Sequence, residues 1–540
     1  MRKYMSLLLC LLFLFLLCTP AASAEEIRTV TVELPRYAAP DPFTKDYSAA
    51  AARILDGLQR GENPINVSKY RIPTSDALSV FVGVLSDHPE FFYIKTGLSY
   101  SYNSNTNTLI DITYFETASG SELQAQKEAL AAAANEILSD MDETMTEVEK
   151  ILYLHDTLAL RIDYDYENYN AGSIPDASYT AYGAMVNGVA VCQGYSMAFT
   201  YLAEQVGIES CFVSSESMNH GWNAVRADGE WYYMDITHDD AVLSMNGSYV
   251  YNTGVGHSRF LLSESELTAA GYSTDREIIS IEHDDAACLE SLDAADYLWQ
   301  LGPDGPFLYA DGLWHYAENG VIYASEIDGS DKSVVYDDAA EEMYQHSHFL
   351  MQEGRIYYNT RDAVYTVDPV SGSASALLTG ADGSIVGLGI RPDGRLVYEG
   401  FDSSNQYYRR YLPLDFLKAD TVTAQIADLP WYVTEADRAA VEAARAAYDA
   451  LTDSQKSQVS NLLLLEEAER ILREIDTGIP FEIGDANRDR IVSVSDVVAL
   501  RRMILLGEDT FVYSFTDLNN DNAITVTDVV TLRDLILTIA

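Results

Sequence analysis

The sequence predicts a multidomain chain: an α+β core, a β-repeat (propeller-like) domain, a helical hairpin, and an all-α terminal module with paired calcium-type loops. Three observations carry this. The chain has 540 residues, room for about three to five domains at roughly 100–200 residues each. Helix-period and strand-period segments are mixed up to about residue 290. The pattern then changes twice, to a β repeat near residue 300 and to Ala/Glu/Arg-rich helix near residue 434. The expected divisions are 1–24, a leader; 25–118, an N-terminal α/β region; 119–290, the core; 291–430, the β-repeats; 431–476, the hairpin; and 484–540, the terminal module.

Composition narrows the function. Hydrophobic residues are 48% and charged residues 22%, enough apolar material for several cores. The formal charge of −49 repels phosphate backbones, so no nucleic-acid partner is expected. Arg2 and Lys3, the apolar run 7–17 and the small residues Ala22-Ser23-Ala24 form an export leader; a retained N-terminal anchor is the alternative. No later stretch reaches ~18 apolar residues, so no membrane span is expected after cleavage. With Cys10 and Cys18 in the leader, Cys192, Cys211 and Cys288 remain. That is too few for a disulfide framework, although a Cys211–Cys288 bridge is possible. The expected location is outside the cell.

The elements follow in order. Residues 47–58 and 79–85 have helical periodicity, the second stopping near His88-Pro89. Segments 91–94, 98–102 and 109–115 are aromatic and β-branched enough for strands. Residues 121–140 read as a helix opened by a Ser121/Gln124 box, and 146–161 as another. A Tyr/Asp-rich loop spans 163–182, and 241–290 carries no clear pattern. Glycines 312, 354 and 394, 42 and 40 residues apart, open similar strands, each with a second strand shortly after. A ~40–45-residue β period is that of propeller blades, but only three units are evident and four are the usual minimum, so a partial propeller or an irregular β-domain is expected. Thr434 opens the hairpin as an N-cap.

Chemistry concentrates in 187–240. Cys192 follows a Gly-containing loop and opens an amphipathic helix, where free N–H groups and the dipole favour thiolate and an oxyanion. Asp228-Gly229 is a two-residue hairpin turn. It pairs Ala227 with Glu230, so His220 falls opposite Thr237 and Trp222 opposite Asp235. His220 and Asp235 then share a face as diagonal neighbours, where Asp235 can orient the imidazole. A buried structural cysteine is the alternative for Cys192 alone. His155 and Cys211 read as structural, and the other histidines form no metal-spaced cluster.

The motifs Val191-Cys192-Gln193-Gly194-Tyr195-Ser196, His220-Gly221-Trp222-Asn223 and Trp231-Tyr232-Tyr233-Met234-Asp235, followed by Thr237 and Asp239-Asp240, resemble the transglutaminase-like superfamily of papain-like folds over about 150–240. His88-Pro89-Glu90-Phe91-Phe92-Tyr93 resembles the upstream region of bacterial members. The resemblance implies Cys192 as nucleophile, His220 as general base and acid, and Asp235 as orienting carboxylate. Tyr182, Gln193 and Trp222 are candidate substrate contacts, and His238 stands where many relatives have tryptophan. The implied chemistry is attack on an amide or ester carbonyl of a protein or peptide, giving a thioester. Water as acceptor makes a peptidase or amidase; an amine makes a transglutaminase.

The C-terminus holds two loops 32 residues apart. Asp485, Asn487, Asp489, Ile491 and Asp496 in the first, and Asp517, Asn519, Asp521, Ala523 and Asp528 in the second, match positions 1, 3, 5, 7 and 12 of an EF-hand-type loop, with a terminal Asp for Glu. Two Ca²⁺ sites are expected there and no cofactor in the core. The pair resembles a type I dockerin, which implies binding to a cohesin domain of a scaffoldin, with Val494, Ser495, Val526 and Thr527 reading the partner. Arg490 and Asn522 replace the usual position-6 glycine, and Arg is the less tolerant of a left-handed backbone. The expected whole is a secreted, cellulosome-type component with thiol acyl-transfer activity. The alternative is a noncatalytic protein- or peptide-binding component on a scaffoldin, in a complex that degrades polysaccharide. A glycoside hydrolase ranks last, since no carboxylate pair can be placed in a sugar cleft.

Overall fold

The computed structural model describes residues 27–32, 46–283, 286–288, 291–292, 297–302, 305–337, 348–352 and 354–412. Beyond these it describes 415–430, 433, 435–451, 453–456, 459–477, 484–487, 491–506, 516, 518 and 524–539. The leader lies outside them. The chain divides into two compact units, Met1–Leu412 and Pro413–Ala540.

In the first unit, helices Ser48–Gln59 and Ala77–Asp87 pack on an antiparallel sheet of Ile27–Val32, Ile94–Asn103, Thr108–Glu116 and Ile65–Asn66. Pro89 opens a 3₁₀ turn, Pro89–Phe91, so the strand expected from residue 91 starts only at Ile94. Proline sets the backbone for a helical first turn and removes an N–H a strand would use.

Helix Gly120–Ser139 is capped at Ser119 without a side-chain bond, and Gln124 donates to Glu128 instead of closing the expected box. Helix Glu147–Arg161 has a true capping box: the Thr146 hydroxyl accepts from Glu149 N–H while the Glu149 carboxylate accepts from Thr146 N–H. The core sheet is antiparallel, in the order Glu277–Ile279, Ser210–Ser215, His220–Ala227, Glu230–Met234. Helix Cys192–Gln205 lies against it. Asn223 Nδ2 donates to Ser196 O, Thr200 Oγ1 and Ser210 Oγ at 3.1–3.2 Å, stitching sheet to helix.

The β repeats form three antiparallel meanders. The first two have four strands, from Leu308–Ala310 to Ser333–Asp337 and from Phe349–Gln352 to Ala374–Leu378. The third has three, Ser384–Ile390, Leu396–Phe401 and Tyr407–Leu412. None among the described residues closes into a barrel. They bond to the core: Trp314 Nε1 donates to Glu149 and Phe307 N–H to Asp156. Cys211 and Cys288 are free thiols in one buried cluster, so the possible bridge is not formed, and burial pushes both thiols up, Cys288 to about 12.

In the second unit, the expected hairpin gains a third helix. Asp415–Ala427 shares one core with Arg438–Asp449 and Leu462–Thr477 through Ala419, Val422 and Ile426. Helices Val494–Leu506 and Val526–Ile539 pair around Leu500, Met503 and Leu532.

His155 was read as structural, and the other histidines as forming no metal-spaced cluster. The fold instead gathers His155, Asp156 and His257. Asp156 Oδ1 lies 2.7 Å from His155 Nδ1 and 2.8 Å from His257 Nε2, and Asp239 Oδ2 lies 3.5 Å from His155 Nε2. Burial alone would lower the His155 pKa, but Asp156 and Asp239 outweigh it and push it up to about 9. A raised histidine stabilises the fold fully below its free value near 6.5, and the gain is lost as pH rises through about 9. The melting temperature should therefore fall between about pH 6.5 and 9 more steeply in the native chain than in His155→Gln. Calorimetry giving parallel curves would refute this.

Candidate active site

The pre-nucleophile segment is built before the nucleophile. Asp163–Tyr164 and Val189–Ala190 form a two-strand parallel ribbon. Val191 N–H donates to Ser178 O at 2.8 Å, and Val191, extended at φ −101°, precedes the helix. Cys192 is then the first helical residue, at the unpaired N–H end of Cys192–Gln205. Gly194 is needed here: a Cβ would stand 2.5 Å from Ser178 O and 2.8 Å from Ala190 Cβ.

The hairpin register is Ala227↔Glu230 through Asn223↔Met234. The ladder ends there, so Trp222 and His220 have no ladder partners at Asp235 and Thr237 as expected. Asp235 instead caps the short helix Ile236–Asp239, its Oδ1 accepting from His238 N–H at 3.2 Å. This turn still brings its Oδ2 to 2.6 Å from His220 Nε2. His220 also hydrogen-bonds the Cys192 side chain. Burial disfavours charge on His220, but Asp235 and Cys192 raise its pKa well above the ordinary range. Burial likewise opposes the Asp235 charge, and His220 and Tyr272 more than compensate, holding its carboxyl below the ordinary value.

The structure thus brings Cys192, His220 and Asp235 together. The Trp222 ring centroid lies 5.7 Å from that of His220. At 1% exposure Trp222 packs behind the imidazole. Gln193 is half-buried beside the nucleophile. Tyr182 stacks on Phe92 at 5.1 Å, within the His88–Tyr93 stretch. Cys192 itself is 1% exposed.

Sequence reading missed several residues. Tyr272, from the patternless 241–290, donates its hydroxyl to Asp235 Oδ2 and stands edge-on to Trp222 at 5.0 Å. Arg391, from the third meander, donates to Gly188 O at 2.8 Å, four residues before Cys192. Tyr195 Oη lies 2.7 Å from Asp240 Oδ2 and 3.0 Å from Ile162 O. Burial pushes the Asp240 carboxyl well up. None of these pairings has a local sequence signal.

With this geometry in place, the comparisons are informative. The profile of the Transglutaminase-like superfamily matches residues 132–236, and this stretch is a transglutaminase-like domain. A solved structure described as "Crystal structure of a TGase" is similar at 11% identity, over 43% of this chain and 56% of that one, with a TM-score of 0.20. The chain thus spans about half of that structure. No curated protein matches the chain.

Of the calcium-loop residues, Asp485, Asn487, Ile491, Asp496 and Asp528 are described; Asp489, Asp517, Asn519, Asp521 and Ala523 lie outside the described residues. Asp485, Asp496 and Asp528 are fully buried. Asp496 Oδ2 accepts from Ser493 N–H at 2.7 Å and Asp528 Oδ2 from Thr525 N–H at 2.8 Å, the same position in each loop. Val494, Ser495, Val526 and Thr527 are exposed. No described helix is long and apolar enough to cross a membrane.

Tyr272→Phe keeps the ring against Trp222 but removes one hydrogen bond to an ionised carboxylate, an interaction of about 1.5–3 kcal/mol. Iodoacetamide alkylation of Cys192 should slow by roughly tenfold, and the melting temperature should fall by several degrees. An unchanged rate would show that Tyr272 does not hold Asp235.

Proposed function

We propose that the chain is a thiol acyl-transfer enzyme of the peptidase or amidase type, exported and docked through its C-terminal module. The observation that supports this most is the convergence of Cys192, His220 and Asp235, with His220 Nε2 held 2.6 Å from Asp235. Cys192 attacks an amide or ester carbonyl; its thiol proton passes to His220, and the leaving amine takes it from His220. Backbone N–H groups at the start of helix Cys192–Gln205 receive the oxyanion. Hydrolysis is favoured over amine transfer because a secreted site works in abundant water. A protein or peptide mixture incubated with the enzyme and a primary amine tests it by mass spectrometry, with Cys192→Ala in parallel. Cleavage or deamidation lost in the variant is expected; amine adducts would make it a transferase. No difference from the variant would overturn the catalytic reading in favour of the noncatalytic binding component.

The same proposal assigns two Ca²⁺ ions to the acidic loops. Asp485 and Asp496, at positions 1 and 12 of the first loop, offer carboxylate oxygens of the kind a hard cation takes. The two helices also expose matching apolar residues: Val494, Val498 and Leu505 on one, Val526, Val530 and Leu537 on the other. Each pair is 32 residues apart, the repeat of the loops. A duplicated apolar patch of this kind suits a partner, read here as a cohesin domain of a scaffoldin. Chelation should lower the melting temperature of the second unit, and Asp496→Ala should cut calcium stoichiometry from two to one. Calorimetry finding no calcium uptake would remove this part of the proposal.

A further inference from the structure

Asp235 serves a second imidazole besides His220. His238 is three residues on, and the short helix that Asp235 caps turns its ring back over the carboxylate. His238 Nδ1 lies 3.7 Å from Asp235 Oδ2, too far for a hydrogen bond. The His220 and His238 ring centroids are 6.1 Å apart. One ligand atom from each of His220, Asp235 and His238 falls within 4.8 Å of the others. Ligands on one tetrahedral zinc, with bonds of ~2.0–2.1 Å, stand about 3.3–3.5 Å apart. The three atoms reach that triangle with shifts of about an ångström.

We infer that His220, Asp235 and His238 form a zinc-binding site whose occupation shuts off Cys192. Two imidazoles and one carboxylate are a zinc donor set, whereas calcium and magnesium take oxygen alone. Entry is open because the His238 side chain is 51% exposed, and water completes the tetrahedron. Tyr272, hydrogen-bonded to the ligating carboxylate, orients it as outer partners of metal ligands commonly do.

The other histidine cluster is less suited. His155 and His257 there are almost fully enclosed, leaving no open path for an ion.

Inhibition follows from the proton count. Zinc takes the Nε2 lone pair of the neutral His220 ring, whose single proton then sits on Nδ1, the nitrogen left for Cys192, so the ring cannot accept the thiol proton. Inhibition rests on the thiol reading of the site, but binding does not.

The test uses the full chain in millimolar calcium, which fills the acidic loops. Zinc is titrated against a chromophoric chelator, and Cys192 alkylation is timed with and without zinc. One zinc should bind to the native chain and to Cys192→Ala, and at least about tenfold more weakly to His238→Ala. Zinc should slow alkylation in the native chain and not in His238→Ala. Because His238 is half-exposed, His238→Ala should stay folded, checked by circular dichroism. Binding undiminished in His238→Ala, or lost in Cys192→Ala, would overturn the inference, the latter placing zinc on the thiolate and His220. If the chain proves not to turn over acyl substrates, zinc binding in Cys192→Ala still decides this inference alone.

Discussion

One buried carboxylate holds the nucleophile segment in place. Asp163 follows helix Glu147–Arg161 by two residues, and its N–H donates to Gly188 O. Its Oδ2 lies 2.8 Å from Arg391 Nη1 and 2.6 Å from Arg409 Nη2, both from the third meander, and its Oδ1 accepts from Asn252. Arg391 also donates to Gly188 O. Gly188 is left-handed at φ +65°, and a Cβ there would stand 2.5 Å from Arg391 Nη2. Charges buried this deeply are tolerated only when every partner is present, and removing one leaves a cost of about 3–5 kcal/mol. The third meander is therefore part of the machinery that shapes the Cys192 loop.

The same logic explains what could be read from the sequence. Local rules worked where the interaction was local. Asp228-Gly229 set the hairpin register, because a two-residue turn leaves one pairing. The helix expected over 146–161 forms as Glu147–Arg161, held by a Thr146/Glu149 box within one turn, whereas the expected Ser121/Gln124 box does not close. The repeat period located the strands opened by Gly312, Gly354 and Gly394.

Local rules failed where contacts spanned the chain. Tyr272 is 37 residues from Asp235, and Arg409 is 246 from Asp163. His155 and His257 meet across 102 positions on one aspartate. A side chain in a polar, patternless stretch looks the same whether it points to solvent or closes a buried network. The segment 241–290 was unreadable for this reason, yet it supplies Tyr272, His257 and Asn252. The failure at Asp235 was subtler. The ladder was extended two residues too far, but a carboxylate that caps the next helix swings back toward His220, so the residues meet by a different route.

Asp235 is the most heavily used of these groups. Its Oδ1 accepts a backbone N–H, and its Oδ2 accepts from His220 and Tyr272. A carboxylate so fully donated to stays ionised in spite of burial. It can then orient His220 and stabilise its positive form without taking the proton itself. It also keeps a negative charge beside His238 at the mouth of the site. The arrangement that makes His220 a good proton acceptor thus also makes the Asp235 carboxylate a good ligand. A proton and a metal ion compete for the same electron pair on His220 Nε2, and whichever holds it sets whether Nδ1 is free to take the proton of Cys192.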